Sequence, residues 1–179
     1  YIYGAQLEQK SYATSYIPTS GASATRNQEL CNDATPVINS EEGTLYAEIS
    51  ALADEATTKS ISINSGSSTN VVRISFFSNV ILARIVSPSG TTSNLTYTVP
   101  SINDFYKVAF KYNATLNNHA LYVNGALRFT STQVIDLGSS LTTLSFADGN
   151  AAGNFYGNTK DLKYYPKALA DVQLQDLTT

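Results

Sequence analysis

Residues 120–130 read ALYVNGALRFT, with the dipeptide Asn124-Gly125 between two short, largely apolar runs. Asn-Gly is the strongest short hairpin signal, because both residues tolerate the positive φ angles that a two-residue turn requires. The flanking runs, 120–123 and 126–130, are therefore predicted to be a pair of antiparallel strands.

Similar patterns continue on the N-terminal and C-terminal sides of this hairpin. Residues 44–51 alternate apolar and polar side chains, which is typical of a strand with one buried face. Residues 71–77 and 80–86 flank Ser78-Asn79 and predict a second hairpin with a two-residue turn. Further short strands are predicted at 61–63, 95–99, 105–112, 141–147 and 155–165. About ten strands with no helix between them predict an all-β chain folded as an antiparallel β-sandwich.

The two ends of the chain differ from this strand-rich middle. A short C-terminal helix is predicted from Asp171, whose carboxylate favours the helix dipole, with apolar contacts from Val172, Leu174 and Leu177. Residues 1–28 predict an N-terminal strand at 1–7 and a polar linker from an upstream module. We therefore expect the sandwich domain to span residues 29–179.

The composition argues against two classes of partner. Only 14% of the residues are charged and the net charge is −3 at pH 7, whereas nucleic-acid binding needs a dense Lys/Arg surface. No stretch approaches the roughly 20 consecutive apolar residues of a membrane-spanning helix. We therefore expect neither a nucleic-acid partner nor membrane insertion. The many hydroxyl and amide side chains suit an extracellular or virion surface. Cys31 is the single cysteine, so no internal disulfide is predicted.

Three stretches in the second half of the chain resemble one family. They read KVAFKY at 107–112 leading to ALYVNG at 120–125, then LSFADG at 144–149, then YGNTKDLKYYPKAL at 156–169 before the predicted helix. In this order they resemble the concanavalin A-like sandwiches, specifically the laminin-G-like lectin modules. The resemblance implies a concanavalin A-like jelly roll that binds carbohydrate.

The opening of the chain resembles a second recurring pattern. GAQLE at 4–8, ATSYIPT at 13–19 and TR at 25–26 are similar to the join upstream of such modules in tailed-phage structural proteins and related bacterial surface proteins. This resemblance implies a module of a larger virion or surface-adhesion protein, with other modules or subunits of that protein as partners.

Catalysis is not expected from the residues. Glycosidases use two carboxylates at a set separation, and no acidic pair lies two positions apart on a clear predicted strand. The Glu-x-Asp-x-x-Glu arrangement of the resembled family's glucanases is missing as well. His119 is the single histidine, and its neighbours Asn117 and Asn118 predict a solvated loop.

Counting the paired residues outward from the predicted turn places two arginines opposite each other. If Ser78-Asn79 is a two-residue turn, residue 77 pairs with 80, and Arg73 therefore pairs with Arg84 on one face. Like charges in this position are unfavourable unless something compensates them. One interpretation is a basic cleft for an anionic polysaccharide, such as a uronate or sulfated glycan. The other is that Glu48 or another acid neutralises the pair, or that both side chains extend into solvent.

Two further groups of residues are candidates for binding. The loop at 148–154 offers oxygen donors from Asp148, Asn150 and Asn154, and laminin-G-like modules often hold a calcium ion at their rim; an ordinary turn and a Ca²⁺ site both remain open. Sugars stack on aromatic faces, and possible stacking surfaces are Tyr46, Tyr97, Tyr112, Tyr122 and Tyr156.

These observations predict a non-catalytic, lectin-like module that binds polysaccharide for adhesion. The alternative is a structural spacer or oligomerisation module of a virion protein without a ligand. A polysaccharide-cleaving enzyme comes third.

Overall fold

The structure is a computed structural model, and it describes residue 16 and residues 36–53, 56–138, 140–150 and 152–179. The predicted strand at 1–7, the linker to residue 28 and Cys31 lie outside the described residues.

The described residues form ten β-strands and one helix, which confirms the predicted all-β fold with a short C-terminal helix. The elements are β1 (Glu42–Ala51), β2 (Lys59–Asn64), β3 (Val71–Phe77), β4 (Val80–Val86), β5 (Thr92–Thr98), β6 (Tyr106–Asn113), β7 (His119–Val123), β8 (Ala126–Ser131), β9 (Thr143–Ser145), β10 (Gly157–Tyr165) and α1 (Asp171–Thr178).

The strands form two five-stranded antiparallel sheets that pack face to face. Sheet I has the order β10-β1-β6-β7-β8, and sheet II has the order β5-β4-β3-β2-β9. Hairpins account for neighbours such as β3 and β4, whereas β2 pairs with β9 across about half of the chain. Such long-range pairings close the jelly-roll sandwich.

Every second residue of the central strands points into the core. On β3 and β4 these residues are apolar and fully buried, namely Val72, Ile74, Phe76, Ile81, Ala83 and Ile85. Burying each of the larger ones contributes about 1.5–3 kcal/mol. Because successive side chains on a strand point to opposite faces, Arg73 and Arg84 must lie on the outer face of sheet II.

Two tight turns set the register of the hairpins. Ser78 and Asn79 have φ of 46° and 59°, and Asn124 and Gly125 have φ of 48° and 74°. Paired positive φ angles are the signature of the two-residue turn whose twist matches that of the flanking strands. Both predicted hairpins are therefore confirmed.

The helix α1 covers part of the outer face of sheet I. Leu174 is fully buried there and packs in one cluster with Tyr46 and Tyr122. Lys111 of β6 donates a hydrogen bond of 2.7 Å from Nζ to Oδ1 of Asp171, which fastens the first turn of the helix to the sheet. With eight residues, α1 is short, and no helix in the described ranges is both long and apolar enough to cross a membrane.

The structure corrects the interpretation of His119. This residue is the first of β7 and is fully buried, because the β7–β8 ladder extends as far as the pair His119–Ser131. Its Nδ1 accepts a hydrogen bond from the Asn113 backbone N–H at 3.4 Å, and its Nε2 lies 3.0 Å from the carbonyl oxygen of Gln133. Burial lowers the pKa of the imidazole. His119 is a neutral core residue and does not lie in a solvated loop.

Candidate functional site

The predicted arginine pair is present on the outer face of sheet II. In the β3–β4 register Arg73 is the direct partner of Arg84. Partners of this kind in an antiparallel pair have Cα atoms about 5 Å apart. The two guanidinium groups therefore share one small area of the surface, as the register predicted from the turn requires.

A row of polar side chains crosses the whole sheet at this level. The paired residues, in the order of the strands from β9 to β5, are Ser145, Ser62, Arg73, Arg84 and Asn94. We call this set the arginine row. Ser62 is fully buried in this row, whereas Asn94 is exposed and offers an amide group beside Arg84 to a hydroxyl-rich ligand.

Each arginine has one nitrogen atom without a hydrogen-bond partner among the described residues. Nε of Arg73 and Nε of Arg84 are buried and have no hydrogen-bond partner among the residues that the structure describes. A buried donor left unpaired costs about 1–3 kcal/mol. Burial lowers the pKa of Arg73, the neighbouring Arg84 lowers it further, and Asp148 opposes both effects. An anion bound at the exposed side of the pair would reduce the repulsion between the two guanidinium groups.

One carboxylate reaches the pair from the loop after β9. Oδ2 of Asp148 lies 3.8 Å from Nη1 of Arg73, and the two side chains are 19% and 12% exposed. Oδ1 of Asp148 accepts hydrogen bonds from the backbone N–H groups of Asn150 (2.9 Å) and Ala152 (3.2 Å). The loop therefore holds Asp148 in place while its second oxygen faces Arg73.

The loop itself lies across β2, and several contacts position it. Ser62 donates a hydrogen bond of 2.6 Å to the carbonyl oxygen of Ala147, and the N–H of Ser60 donates one of 2.8 Å to that of Gly153. Gly149 has φ of 96°, and a Cβ at this residue would lie 2.6 Å from the carbonyl oxygen of Ser67. Only glycine allows this close approach.

The surroundings of the arginine row are hydroxyl-rich and partly apolar. The hydroxyl oxygens of Ser60 and Ser75 lie 2.9 Å apart, so these two groups satisfy each other. Asn64 donates from Nδ2 to the hydroxyl of Ser145 at 2.9 Å. Leu82 is the cross-strand partner of Ser75 and is half-buried. These hydroxyl and amide groups are therefore already hydrogen-bonded within the protein, whereas Nε of Arg73 and Nε of Arg84 are not, among the described residues.

The residues predicted for calcium are placed on this same loop. Asp148 directs its oxygens at backbone N–H groups and at Arg73, and Oδ1 of Asn154 is buried without a partner in the described part of the chain. Asn150 is exposed. No cluster of three or more His, Cys, Asp or Glu side chains suited to a metal occurs in the described ranges. An ordinary turn and a Ca²⁺ site therefore both stay predictions for this loop.

The predicted stacking residue Tyr46 and the predicted acid Glu48 lie on the other sheet. Tyr46 and Glu48 are on the outer face of sheet I, since the intervening Ala47 belongs to the core. Glu48 forms an ion pair of 3.3 Å with Lys160, so the acid beside the arginines is Asp148 and not Glu48. Tyr46 is 3% exposed and has no free ring face for a sugar. Strand alternation alone could not indicate which sheet these residues join.

Tyr112 and Tyr97 are directed inwards and away from the arginine row. Tyr112 is fully buried, and its hydroxyl lies 2.6 Å from the carbonyl oxygen of Asn39 and 2.9 Å from the hydroxyl of Tyr164. The Tyr97 ring packs against the core and is covered by the guanidinium of Arg128, 4.4 Å from the ring centroid. Neither residue offers the stacking surface that was predicted.

The sequence interpretation missed three members of the row, Ser62, Ser145 and Asn94. Ser62 lies between the core residues Ile61 and Ile63, so the alternation in β2 already indicates an outward side chain. Ser145 and Asn94 reach the row only through strand pairing. Their positions depend on the assembled sheet.

The comparisons with known proteins concern the fold. No protein-family model and no curated protein matches the chain. Among solved structures, the chain is similar to CBM40 of the Ruminococcus gnavus IT-sialidase bound to α2,3-sialyllactose, with a TM-score of 0.65 and 17% identity, over 78% of this chain and 83% of that one. The fold is a jelly-roll β-sandwich.

Two further structures have the same fold. A leech intramolecular trans-sialidase complexed with 2,7-anhydro-Neu5Ac matches with a TM-score of 0.62 and 21% identity, over 78% of this chain and 23% of that one. A SAP-like pentraxin from Limulus polyphemus matches with a TM-score of 0.60 and 14% identity, over 78% and 70%. These likenesses confirm the predicted sandwich. None of the structures named here is a phage protein, and the phage context stays a prediction.

Proposed function

We propose that this chain is a non-catalytic module that binds an acidic polysaccharide through Arg73 and Arg84 on the outer face of sheet II. The observation that supports this proposal best is the direct pairing of Arg73 with Arg84, with Asp148 as the one acid in an ion pair with them among the described residues. Two like charges facing each other across a hairpin are unfavourable in the free protein, and a bound anion would turn them into a favourable group.

The chemistry of the guanidinium group favours a carboxylate on the ligand. Arginine presents several N–H donors in a rigid plane, and it forms two parallel hydrogen bonds with a carboxylate. Asn94, which is exposed and pairs with Arg84, supplies a neutral donor and acceptor for the hydroxyl groups of the same sugar. A sugar acid therefore matches both parts of this surface.

The structural neighbours support the proposal without establishing it. The R. gnavus CBM40 was solved with α2,3-sialyllactose and also with α2,6-sialyllactose, both of which carry a carboxylate. By analogy with such modules, we place this chain on an extracellular or virion surface as an adhesion module of a larger protein. Other modules or subunits of that protein are the remaining partners of this proposal.

Titration followed by NMR tests the proposal. We expect the amide signals of β3 and β4 to shift on addition of 3′-sialyllactose or oligoglucuronate, and not on addition of neutral lactose. Arg84→Met should lose this binding by more than about tenfold, since it removes a charge-assisted hydrogen-bond donor. Lys167→Met is the matched control, because Lys167 is exposed next to the end of β10 in sheet I.

Two results would contradict the proposal. Equal binding of neutral and acidic sugars, or binding unaffected in Arg84→Met, would remove the role of the arginines. An absence of binding across a broad glycan array would favour a structural spacer. The release of new reducing ends from any polysaccharide would show that the chain is an enzyme.

A further inference from the structure

We infer that Asp148 makes the site formed by Arg73 and Arg84 bind sugars with a single negative charge, such as a carboxylate, more tightly than sugars with a doubly charged group. A phosphate monoester is such a doubly charged group. This inference rests on the proposed function, because it concerns the ligand of the same two arginines.

The charges of the site can be counted from the strands that form it. The strands of sheet II contain three charged residues, Lys59, Arg73 and Arg84. Lys59 is fully buried, and its side chain is on the same face of β2 as the core residue Ile61. Among the described residues, the outer face therefore has two guanidinium cations, and Asp148 adds one carboxylate 3.8 Å from Arg73. The two cations and the carboxylate leave one net positive charge. A monoanionic ligand balances this charge, whereas a dianionic ligand leaves one negative charge in excess.

An excess charge is costly in this position because the site is partly desolvated. The side chains of Arg73 and Asp148 are only 12% and 19% exposed. Charges that leave water need nearby compensation, and an uncompensated one is unfavourable. The desolvation cost grows with the square of the charge, so it penalises a dianion more than it penalises a monoanion.

Asp148 is suited to this role because its position does not depend on Arg73. Oδ1 accepts hydrogen bonds from the N–H groups of Asn150 and Ala152, which holds the carboxylate when a ligand approaches. The ligand therefore meets a fixed negative charge and cannot displace it simply by competing for Arg73. Repulsion from such a charge is proportional to the charge of the ligand.

The test compares two probes that differ only at the sixth carbon of one sugar. Glucuronate carries a carboxylate there, and glucose 6-phosphate carries a phosphate that is largely dianionic at pH 7.5, since its second pKa is about 6. We expect the wild-type protein to bind glucuronate more tightly. In Asp148→Asn, the affinity should rise about threefold for glucuronate and about tenfold for glucose 6-phosphate, because the factor for a dianion is the square of that for a monoanion.

Asp148→Asn preserves the loop, because the amide oxygen still accepts the two backbone hydrogen bonds. Asp176→Asn is the matched control: it removes one carboxylate from the exposed side of α1, on the opposite face of the sandwich, and should leave the ratio of the two affinities unchanged. Equal changes for both probes in Asp148→Asn, or a wild-type preference for the phosphate, would overturn the inference.

A measurement on the wild-type protein alone gives a second readout. Lowering the pH from 7.5 to 5.5 converts much of the phosphate to a monoanion, whereas the glucuronate carboxylate stays ionised. The preference for glucuronate should shrink over this range, and a constant preference would contradict the inference. If neither probe nor sialyllactose binds the wild-type protein or Asp148→Asn, the proposed function fails as well. If the probes bind and Asp148→Asn leaves the preference for glucuronate over glucose 6-phosphate unaltered, only the role of Asp148 fails.

Discussion

Arg73 of β3 lies directly opposite Arg84 of β4, and each has a buried Nε atom without a partner among the described residues. Both features destabilise the free protein. Strand pairing and core burial of the residues on either side hold the pair in this position. The arginine pair therefore lowers the stability of the free protein, and an anion bound under the proposed function would offset this cost.

Replacing one arginine should accordingly separate stability from binding. We expect Arg84→Met to raise the free energy of unfolding by about 0.5–1 kcal/mol, because it removes a like-charge neighbour and a buried unpaired donor. Urea denaturation measures this change. Lys167→Met, which removes an exposed charge away from the site, should alter stability little. A clear loss of stability in Arg84→Met would mean that Arg84 supports the fold.

The glycine at the tip of the Asp148 loop offers a test of loop placement. Gly149→Ala introduces a Cβ 2.6 Å from the carbonyl oxygen of Ser67, in addition to the strain of a positive φ. Gly90→Ala is the matched control, because Gly90 has φ of 85° but nothing within 4 Å of an added Cβ. Since both variants share the backbone strain, we expect Gly149→Ala to be less stable than Gly90→Ala by roughly 1–3 kcal/mol in urea denaturation. Equal stabilities would show that the loop does not pack on Ser67 as described.

Calcium should not stabilise the protein, because the geometry of the loop disfavours it. Asp148 has one oxygen bound to two backbone N–H groups and the other beside the cationic Arg73. A Ca²⁺ ion would have to compete with both. We expect equal melting temperatures in excess Ca²⁺ and in EGTA. A melting temperature that rises with the Ca²⁺ concentration would instead establish a site, because a ligand that binds the folded state stabilises it by mass action.

The buried His119 predicts a loss of stability in acid. Burial lowers the pKa of His119 below its ordinary value of 6.5. Between the folded and the unfolded pKa, only the unfolded chain takes up the proton, so stability is fully present above pH 6.5 and falls as the pH drops below it. The loss levels off below the folded pKa. Urea denaturation between pH 7.5 and 5 should show this decline.

His119→Asn supplies the comparison for this measurement. The variant should be less stable than the wild type at pH 7.5, because it disturbs contacts to Asn113 and Gln133 in the core. Its stability should depend less on pH between 6.5 and 5. An unchanged dependence would assign the effect to carboxylates elsewhere in the chain.

Short-range rules predicted the parts of the candidate site that lie within one hairpin. The two-residue turn at Ser78-Asn79 has one register, and that register places Arg73 opposite Arg84 without further information. Alternation in β3 and β4 then assigns both side chains to the face opposite the core. Neither step requires knowledge of another part of the chain.

Contacts between distant segments could not be predicted in this way. Asp148 follows Arg73 by 75 positions, and it reaches the arginine only because β9 pairs with β2 and the following loop crosses β2. Alternation placed Glu48 on a polar face, but the face belongs to the other sheet. The burial of Tyr112 and His119 likewise depends on residues that pack from elsewhere.

The sequence by itself determined the strand-rich fold class, the two tight hairpins, the terminal helix and the facing arginines, because turn geometry and side-chain alternation are local properties. Only the tertiary structure decided that Asp148 accompanies the arginines and that Tyr46, Glu48, Tyr97 and Tyr112 do not. The reason is physical: which strands become neighbours, and which sheet each joins, follows from packing the whole core, and no short segment of the chain encodes it alone.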